Sequence, residues 1–560
     1  MTRFSRAIFL APLFWALAAC GAPPAPAPAA PVNPAVPRDS LAHIVDRYWD
    51  ERVTSGNPLS AQYLADSLDL ERRYLAELLT VPRGSLDADS QLTYDIFRRQ
   101  RELGIEGFTY PSELLPVNPF ASWPQEFARL AGDPGAQPFA TAADYDSWLR
   151  RIDDYVAWTH QAIANMREGL RRGYTSPRVL IERSLAALQG LGADTSANVF
   201  YTPLRALPQS IKEPQRSRLS LELTQAVENR LLPAYRELHD FLQHEYLPRA
   251  RTTVALTALP LGPSWYAYRV RRATDSSLTP DQIHALGVAE VERLRVRLQA
   301  LSPGAAPKVA QATVTQTTVT QTEITRPADA PTADPSAGGA EPARSTQEFA
   351  ARTLAAMPAL FSDVPQAGAE FGAAGAGQTA DLDMPGFLQE VLPGRRYQSV
   401  LQQARADLPK FRRFGSDAAF VDGWALYAES LGEELGLYPD EAAKRAALMA
   451  QLKCAAALVV DTGLHAQEWS RGQAVAYLST QLGLAEPQAQ WMTDRMIALP
   501  GDALACKMGE LKIQALRSRA QQVLGARFDI REFHARILED GAMPLDILEA
   551  KMRLWMEARR

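Results

Sequence analysis

The sequence predicts a mainly α protein, a large helical domain whose chain is interrupted by two linkers. Apolar residues recur three and four apart, with charges between them, through Leu219–Tyr246 and Pro280–Leu301. Strand-like alternation is scarce throughout. Of the 560 residues, 46% are hydrophobic and 22% charged, enough apolar material for a sizeable core.

Taken in order, the chain opens on Arg3 and Arg6, then an almost wholly apolar run from Ala7 to Ala18. That run suits an export signal but is short for a membrane-spanning helix, which needs ~20 apolar residues. It closes on Leu17-Ala18-Ala19-Cys20-Gly21, small residues before a cysteine whose freed thiol can accept a diacylglycerol. Residues 1–19 therefore read as a signal peptide and Cys20 as a lipidation site; an ordinary signal peptide with an incidental cysteine is the alternative. Acylation of the new amino group, as lipoproteins resembling this one undergo, adds the further chains that make anchoring stable. Gly21 carries no acidic retention signal, so the resemblance to proteobacterial lipoproteins implies an outer-membrane anchor facing the periplasm. Residues 20–38 form an alternating Pro/Ala tether of roughly 50 Å at ~3.1 Å per residue.

Helical patterning occupies 39–302. Thr279-Pro280-Asp281-Gln282 marks a helix start, with Thr279 as cap and proline in the first turn. Residues 303–346 carry a Val-Thr-Gln-Thr repeat and a Pro/Ala/Gly/Asp run, too little apolar surface to offset ordering entropy, and are expected to be a disordered insertion. The run from Ala367 to Ala380 is similarly weak. Helical periodicity returns across 347–560. No later segment has an uninterrupted apolar run of spanning length. The net charge of −5 implies no basic face, which argues against a nucleic-acid partner. With Cys20 given to lipid, Cys454 and Cys506 remain in a compartment that permits a disulfide; two buried thiols are the other reading.

Seven histidines are present, and only His239 and His244 are close in sequence. Their spacing of five is off a common helical face, unlike the one-turn pair of a zinc peptidase, so they read as solvated helix residues. No Gly-x-Ser-x-Gly elbow, phosphate-binding glycine loop or Cys-x-x-Cys pair occurs.

The C-terminal half nevertheless carries a specific series: Gly423-Trp424-Ala425-Leu426-Tyr427-Ala428-Glu429, Val460-Asp461-Thr462-Gly463-Leu464-His465, Pro500-Gly501, Lys507-Met508-Gly509 and Phe528-Asp529-Ile530-Arg531-Glu532-Phe533-His534. Weaker matches lie upstream at Asp144–Leu149, Arg167–Gly169 and Leu278–His284. Together they resemble the domain of unknown function 885 family, helical bacterial proteins similar to zinc-dependent peptidases. The resemblance covers about 39–302 and 347–560 and implies a zincin-like helical domain around a central cleft.

The family's metal motif, His-Glu-x-x-Pro-Gly-His-His-x-Gln, aligns with Gln389-Glu390-Val391-Leu392-Pro393-Gly394-Arg395-Arg396-Tyr397-Gln398. Glu390, Pro393, Gly394 and Gln398 remain; the three histidines are Gln389, Arg395 and Arg396. The family's third ligand, a glutamate before Gly-Trp-Ala-Leu-Tyr, is Asp422. Its tyrosine at 506 is a cysteine, its glutamine at 502 an aspartate, and its arginine at 457 an alanine. Zinc takes imidazole, thiolate or carboxylate, whereas two permanent guanidinium cations repel it. Without a metal, water beside Glu390 keeps a pKa near ~15.7 rather than about 7, and Glu390 has no activated nucleophile to deprotonate. Arg395 and Arg396 are expected to replace the metal's charge and pair with Glu390 and Asp422. The expectation is thus a catalytically inactive, cofactor-free peptidase-like lipoprotein that binds a peptide or an envelope protein. An active metallopeptidase is the alternative, and a metal-free hydrolase using Glu390 or Asp422 with His465 a third. Glu429 and His465 otherwise read as polar packing groups of the old cleft, and positions near that cleft bring Cys454 and Cys506 within reach of each other.

Overall fold

The computed structural model describes residues 37–52, 56–133, 135–301, 341–365 and 382–560. The signal peptide, Cys20, nearly all of the tether, the insertion up to 340 and the 367–380 run lie outside the described residues. The fold is mainly α: helices follow one another throughout, and the described residues contain no strand, only an isolated bridge between Pro177 and Arg251.

Two compact units emerge, and they do not follow the division into 39–302 and 347–560. Among the described residues, one comprises Glu51–Ala76 and Arg101–Trp265, the other 37–50, Glu77–Gln100 and Tyr266–Arg560. Linker composition marks where a chain cannot pack, not where one core ends. The expected insertion also ends early, because a helix already runs over Glu341–Ala356.

The first unit is built on a 31-residue helix, α1 (Ala142–Arg172), started by a Thr141/Asp144 capping box and stopped by Gly173 at φ +80°. Against it lies a long helical rod, α2 (Gln215–Ala226) and α3 (Leu232–Phe241), each followed by one wider π turn, at Val227–Leu231 and Leu242–Tyr246. Both π turns end just before a proline, Pro233 or Pro248. A proline lacks the N–H and crowds the carbonyl four residues back, and the wider turn gives that carbonyl room. The apolar stripes of α1 and α3 bury Trp148, Tyr155 and Tyr235 with Phe127, in ring stacks 4.6–4.8 Å apart.

The second unit contains α4 (Gly262–Thr274) from Tyr266 onward, α5 (Pro280–Ala300), α6 (Glu341–Ala356), α7 (Met384–Glu390), α8 (Arg395–Ala404), α9 (Ala418–Ser430), α10 (Glu441–His465), α11 (Glu486–Ala498), α12 (Ala505–Leu524), α13 (Ile530–Leu538) and α14 (Leu545–Ala558). Helix α5 starts where the sequence places it, with a Thr279/Gln282 capping box and Pro280 in the first turn. Helices α9 and α12 touch backbone to backbone through Gly423 and Gly509: a Cβ on Gly509 would lie 1.8 Å from the Ala419 carbonyl oxygen. Among the described residues α10 is long and apolar enough to cross a membrane, but 78% of its most apolar stretch is buried inside the protein, as in a core helix. Cys454 on α10 and Cys506 on α12 are joined by a disulfide, with Cα atoms 6.3 Å apart.

Candidate functional site

The aligned motif folds into a tight helix–turn–helix. Asp383 caps α7, its Oδ1 accepting from Gly386 N–H at 2.9 Å, and Pro385 lies in the first turn. The helix ends at Glu390 and the chain doubles back so closely that a Cβ on Gly394 would sit 1.9 Å from the Gln389 carbonyl oxygen. Only glycine fits there. Trp424 of α9 fixes the turn by donating Nε1–H to the Pro393 carbonyl at 2.9 Å. Helix α8 then starts at Arg395, beside the end of α7 and one face of α9.

That geometry places the Arg395 guanidinium between two carboxylates. Its Nε donates to Glu390 Oε2 at 3.2 Å and its Nη1 to Asp422 Oδ1 at 2.5 Å, all three side chains being mostly buried. Burial alone would lower the Arg395 pKa, yet Asp422 and Glu390 outweigh it and hold the group above ordinary arginine. Glu390 is raised above its ordinary value, because burial exceeds the pull of Arg395. Its second oxygen, Oε1, is buried with no hydrogen-bond partner. Arg395 makes both of these contacts; Arg396, the next residue, is half-buried.

The other residues named from sequence serve elsewhere. Gln389 is buried at the last turn of α7. Gln398 donates to Gln402 Oε1 at 2.6 Å, and Gln402 in turn satisfies the carbonyls of Arg412 and Gly415 and the Ala542 N–H. His465 is fully buried, its Nε2 at 3.0 Å from the Met496 carbonyl and its ring 5.2 Å from that of Tyr266. A ring held to a backbone carbonyl in the core is a packing group, and its Nε2 is already engaged. His244 is exposed and His239 half-buried beside Asp240 in the first unit.

Glu429 is fully buried, and both of its carboxyl oxygens lack a hydrogen-bond partner. Burial, reinforced by Glu510, Asp383 and Glu390, pushes its pKa well above the usual carboxylate range. Near it runs an ionic network that sequence reading passed over. Lys507, fully buried, reaches Glu510 at 2.6 Å, Gln451 at 3.1 Å and Glu290 at 3.2 Å, and Arg293 pairs with Glu290 at 2.6 Å. The i,i+3 spacings Lys507/Glu510 and Glu290/Arg293 were visible, but such pairs ordinarily mark a solvated face. Asp461 binds the Tyr266 hydroxyl at 2.6 Å and the Gly501 N–H at 3.0 Å, which explains the Val-Asp-Thr-Gly and Pro-Gly motifs as one joint between α4, α10 and the turn before α12.

Among the described residues no three His, Cys, Asp or Glu side chains are grouped so as to hold a metal ion. The carboxylates at this turn are Glu390 and Asp422, both bonded to the Arg395 guanidinium. A divalent cation does not fit this donor set as it stands.

The family model described as "Bacterial protein of unknown function (DUF885)" matches residues 48–376 and 386–552, and the chain belongs to that family. The fold is shared with a "putative lipoprotein" from Colwellia psychrerythraea, 24% identical, with a TM-score of 0.75 over 93% of this chain and all of the other. It is also similar to a "putative lipoprotein of unknown function" from Shewanella oneidensis, 14% identical, with a TM-score of 0.60 over 92% of this chain and 98% of the other. A comparison with curated proteins finds no match.

Proposed function

We propose that this protein is a lipid-anchored component of the cell envelope that binds a peptide or protein partner in a peptidase-like cleft without cleaving it. The observation that carries the reading is the Arg395 bridge between Glu390 and Asp422. A peptidase glutamate acts on a water made acidic by a metal. Here the glutamate is tied to a fixed cation that is no Lewis acid and offers no open coordination position. Arginine cannot deprotonate to vacate the site, so a metal would have to displace both of its bonds. Gln389, Arg395 and Arg396 in place of three histidines, and Asp422 one methylene shorter than glutamate, fit the same picture. Peptide as ligand class rests on analogy with zinc peptidases alone.

Metal analysis of the purified soluble domain tests the inactive reading: less than stoichiometric zinc and no chelator-sensitive peptide cleavage are expected. Stoichiometric zinc, or cleavage abolished by a chelator, overturns it. Restoring Gln389→His, Arg395→His and Asp422→Glu together should recover zinc affinity. The anchor is supported by the Leu17–Gly21 sequence and by the names given to the two similar structures. Cys20→Ala should release the protein from the membrane fraction, and unchanged attachment and electrophoretic mobility would refute lipidation. Capture of envelope partners with the Cys20-anchored protein tests the binding role.

A further inference from the structure

Beside the aligned motif the second unit holds a cavity of about 150 Å³. Its apolar walls are Phe361, in the segment after the turn at Met357–Ala359, Tyr397 and Leu401 on α8, and Leu538 at the end of α13. Packing holds these walls in place. The Phe361 ring stacks on His534 at 4.7 Å and meets Tyr397 edge-on at 5.9 Å, and the Tyr397 hydroxyl donates to the Asp363 carbonyl. Tyr397 stands two residues after Arg395, so one wall of the cavity and the Arg395 bridge share the first turn of α8. Three charged residues also line the cavity: Asp363, Arg405 and Glu539. Two of them are matched. Arg405 gives Nε and Nη2 to Asp407 at 2.8 and 2.7 Å and Nη1 to the Glu539 carbonyl. The Glu539 carboxylate takes Arg536 and Lys551, each at 3.1 Å. Asp363 is exposed, and among the described residues its carboxylate has neither an ion pair nor a hydrogen bond.

We infer that this cavity takes the side chain of a lysine, its stem against Phe361, Tyr397, Leu401 and Leu538 and its ammonium against the Asp363 carboxylate. A cavity of ~150 Å³ accepts a group the size of benzene, enough for a four-carbon stem. Phe361, Tyr397 and Leu538 are buried while Asp363 is exposed, so the floor is apolar and the unmatched charge lies at the mouth. A long side chain with an apolar length and a charged end satisfies both. The sign follows from the lining. With Arg405 and Glu539 matched, the charge left over is negative, and an acidic side chain would be repelled by it. This deepens the peptide-binding reading above and rests on it for the source of the lysine.

Titration of the full-length protein with Nα-acetyl-lysine amide, followed by saturation-transfer NMR beside the norleucine and glutamate amides, tests the pocket. Lysine should bind at least about five-fold tighter than norleucine, which has the stem without the ammonium, and glutamate should bind weakest. Asp363→Asn, a surface change that spares the core, should bring lysine to within about two-fold of norleucine. Leu401→Trp, which fills the cavity, should weaken both. Equal binding of lysine and norleucine, an undiminished preference in Asp363→Asn, or no saturable binding of the lysine amide would overturn the pocket. Two further results separate the pocket from the peptide-binding reading. Partners captured by the Cys20-anchored protein without lysine binding would sink the pocket alone. Lysine binding with no captured partner would uphold the pocket and sink the peptide-binding reading.

Discussion

The two units solve the problem of a large core with different materials. The first stacks aromatic rings: Phe127, Trp148, Tyr155 and Tyr235 are all fully buried in one column. The second is threaded with ionisable groups. Glu429, Asp461, His465, Lys507, Glu510 and His534 each have no measurable exposure, and Asp494 has 1%. Rings gain from burial with little demand on orientation beyond offset packing. Buried charges gain only when each finds its partner, and breaking one pair strands the other. The second unit is therefore expected to tolerate substitution less well, residue for residue, although both are helical and similarly dense. It is also the unit that holds the aligned motif.

The contrast can be broken at several points. The largest effect is expected at the α9–α12 contact. Gly509→Val places side-chain atoms where a Cβ alone would meet the Ala419 oxygen at 1.8 Å, and Gly423 leaves no room to yield. Loss of folded protein, or destabilisation above ~4 kcal/mol by denaturant unfolding, is the expected outcome. A stable variant would show that these helices can separate cheaply.

In the first unit Phe127→Ala should cost about 3–5 kcal/mol, the range for a ring removed from a packed core. A matched truncation of similar cost in the second unit would weaken the distinction drawn above. Arg395→Met should cost about 2–3 kcal/mol, less than a fully buried pair because the cluster retains some solvent contact. Most of that should return in the triple variant Arg395→Met, Glu390→Gln, Asp422→Asn, where no charge is stranded. If the single and triple variants are equally unstable, the guanidinium is a packing element and not a charge bridge.

How much of this was legible in the sequence follows from the same physics. Periodicity gave the helices and the α5 capping box, because both depend on neighbours within a few residues. The two π turns were not visible, since they register only as prolines inside an otherwise helical pattern. The division into units was hidden as well: residues 77–100 pack with 266–560, and no local signal encodes a contact of that separation. At the site, charge complementarity foretold that Arg395 would seek Glu390 and Asp422. It did not reveal that one arginine would reach both, which depends on the turn permitted by Gly394. The Lys507–Glu290–Glu510 network was missed because burial, not spacing, distinguishes it from a surface salt bridge.

The smallest expected effect concerns His534, which is fully buried on α13. Its Nδ1 lies 2.8 Å from the Leu360 carbonyl and its Nε2 2.8 Å from the Tyr427 hydroxyl. A neutral ring protonated on Nδ1 satisfies both, donating to the carbonyl and accepting from the hydroxyl. Protonating Nε2 would turn that acceptor into a donor facing an oxygen that already accepts from Arg517 at 3.2 Å. It would also bring a second cation beside that guanidinium. Burial first, and Arg517 in addition, lower the His534 pKa to about 4, against about 6.5 for an unconstrained histidine. The folded state thus binds fewer protons than the unfolded chain between those values. The stability this gives is present above about 6.5 and is lost as pH falls through about 4. Between pH 7 and pH 5 the loss should be on the order of 2 kcal/mol. His534→Gln, which cannot titrate, should be less stable at pH 7 but lose correspondingly less on acidification. Denaturant unfolding of wild type and variant at the two pH values decides it: equal slopes would mean that the acid sensitivity arises elsewhere in the second unit's ionic core.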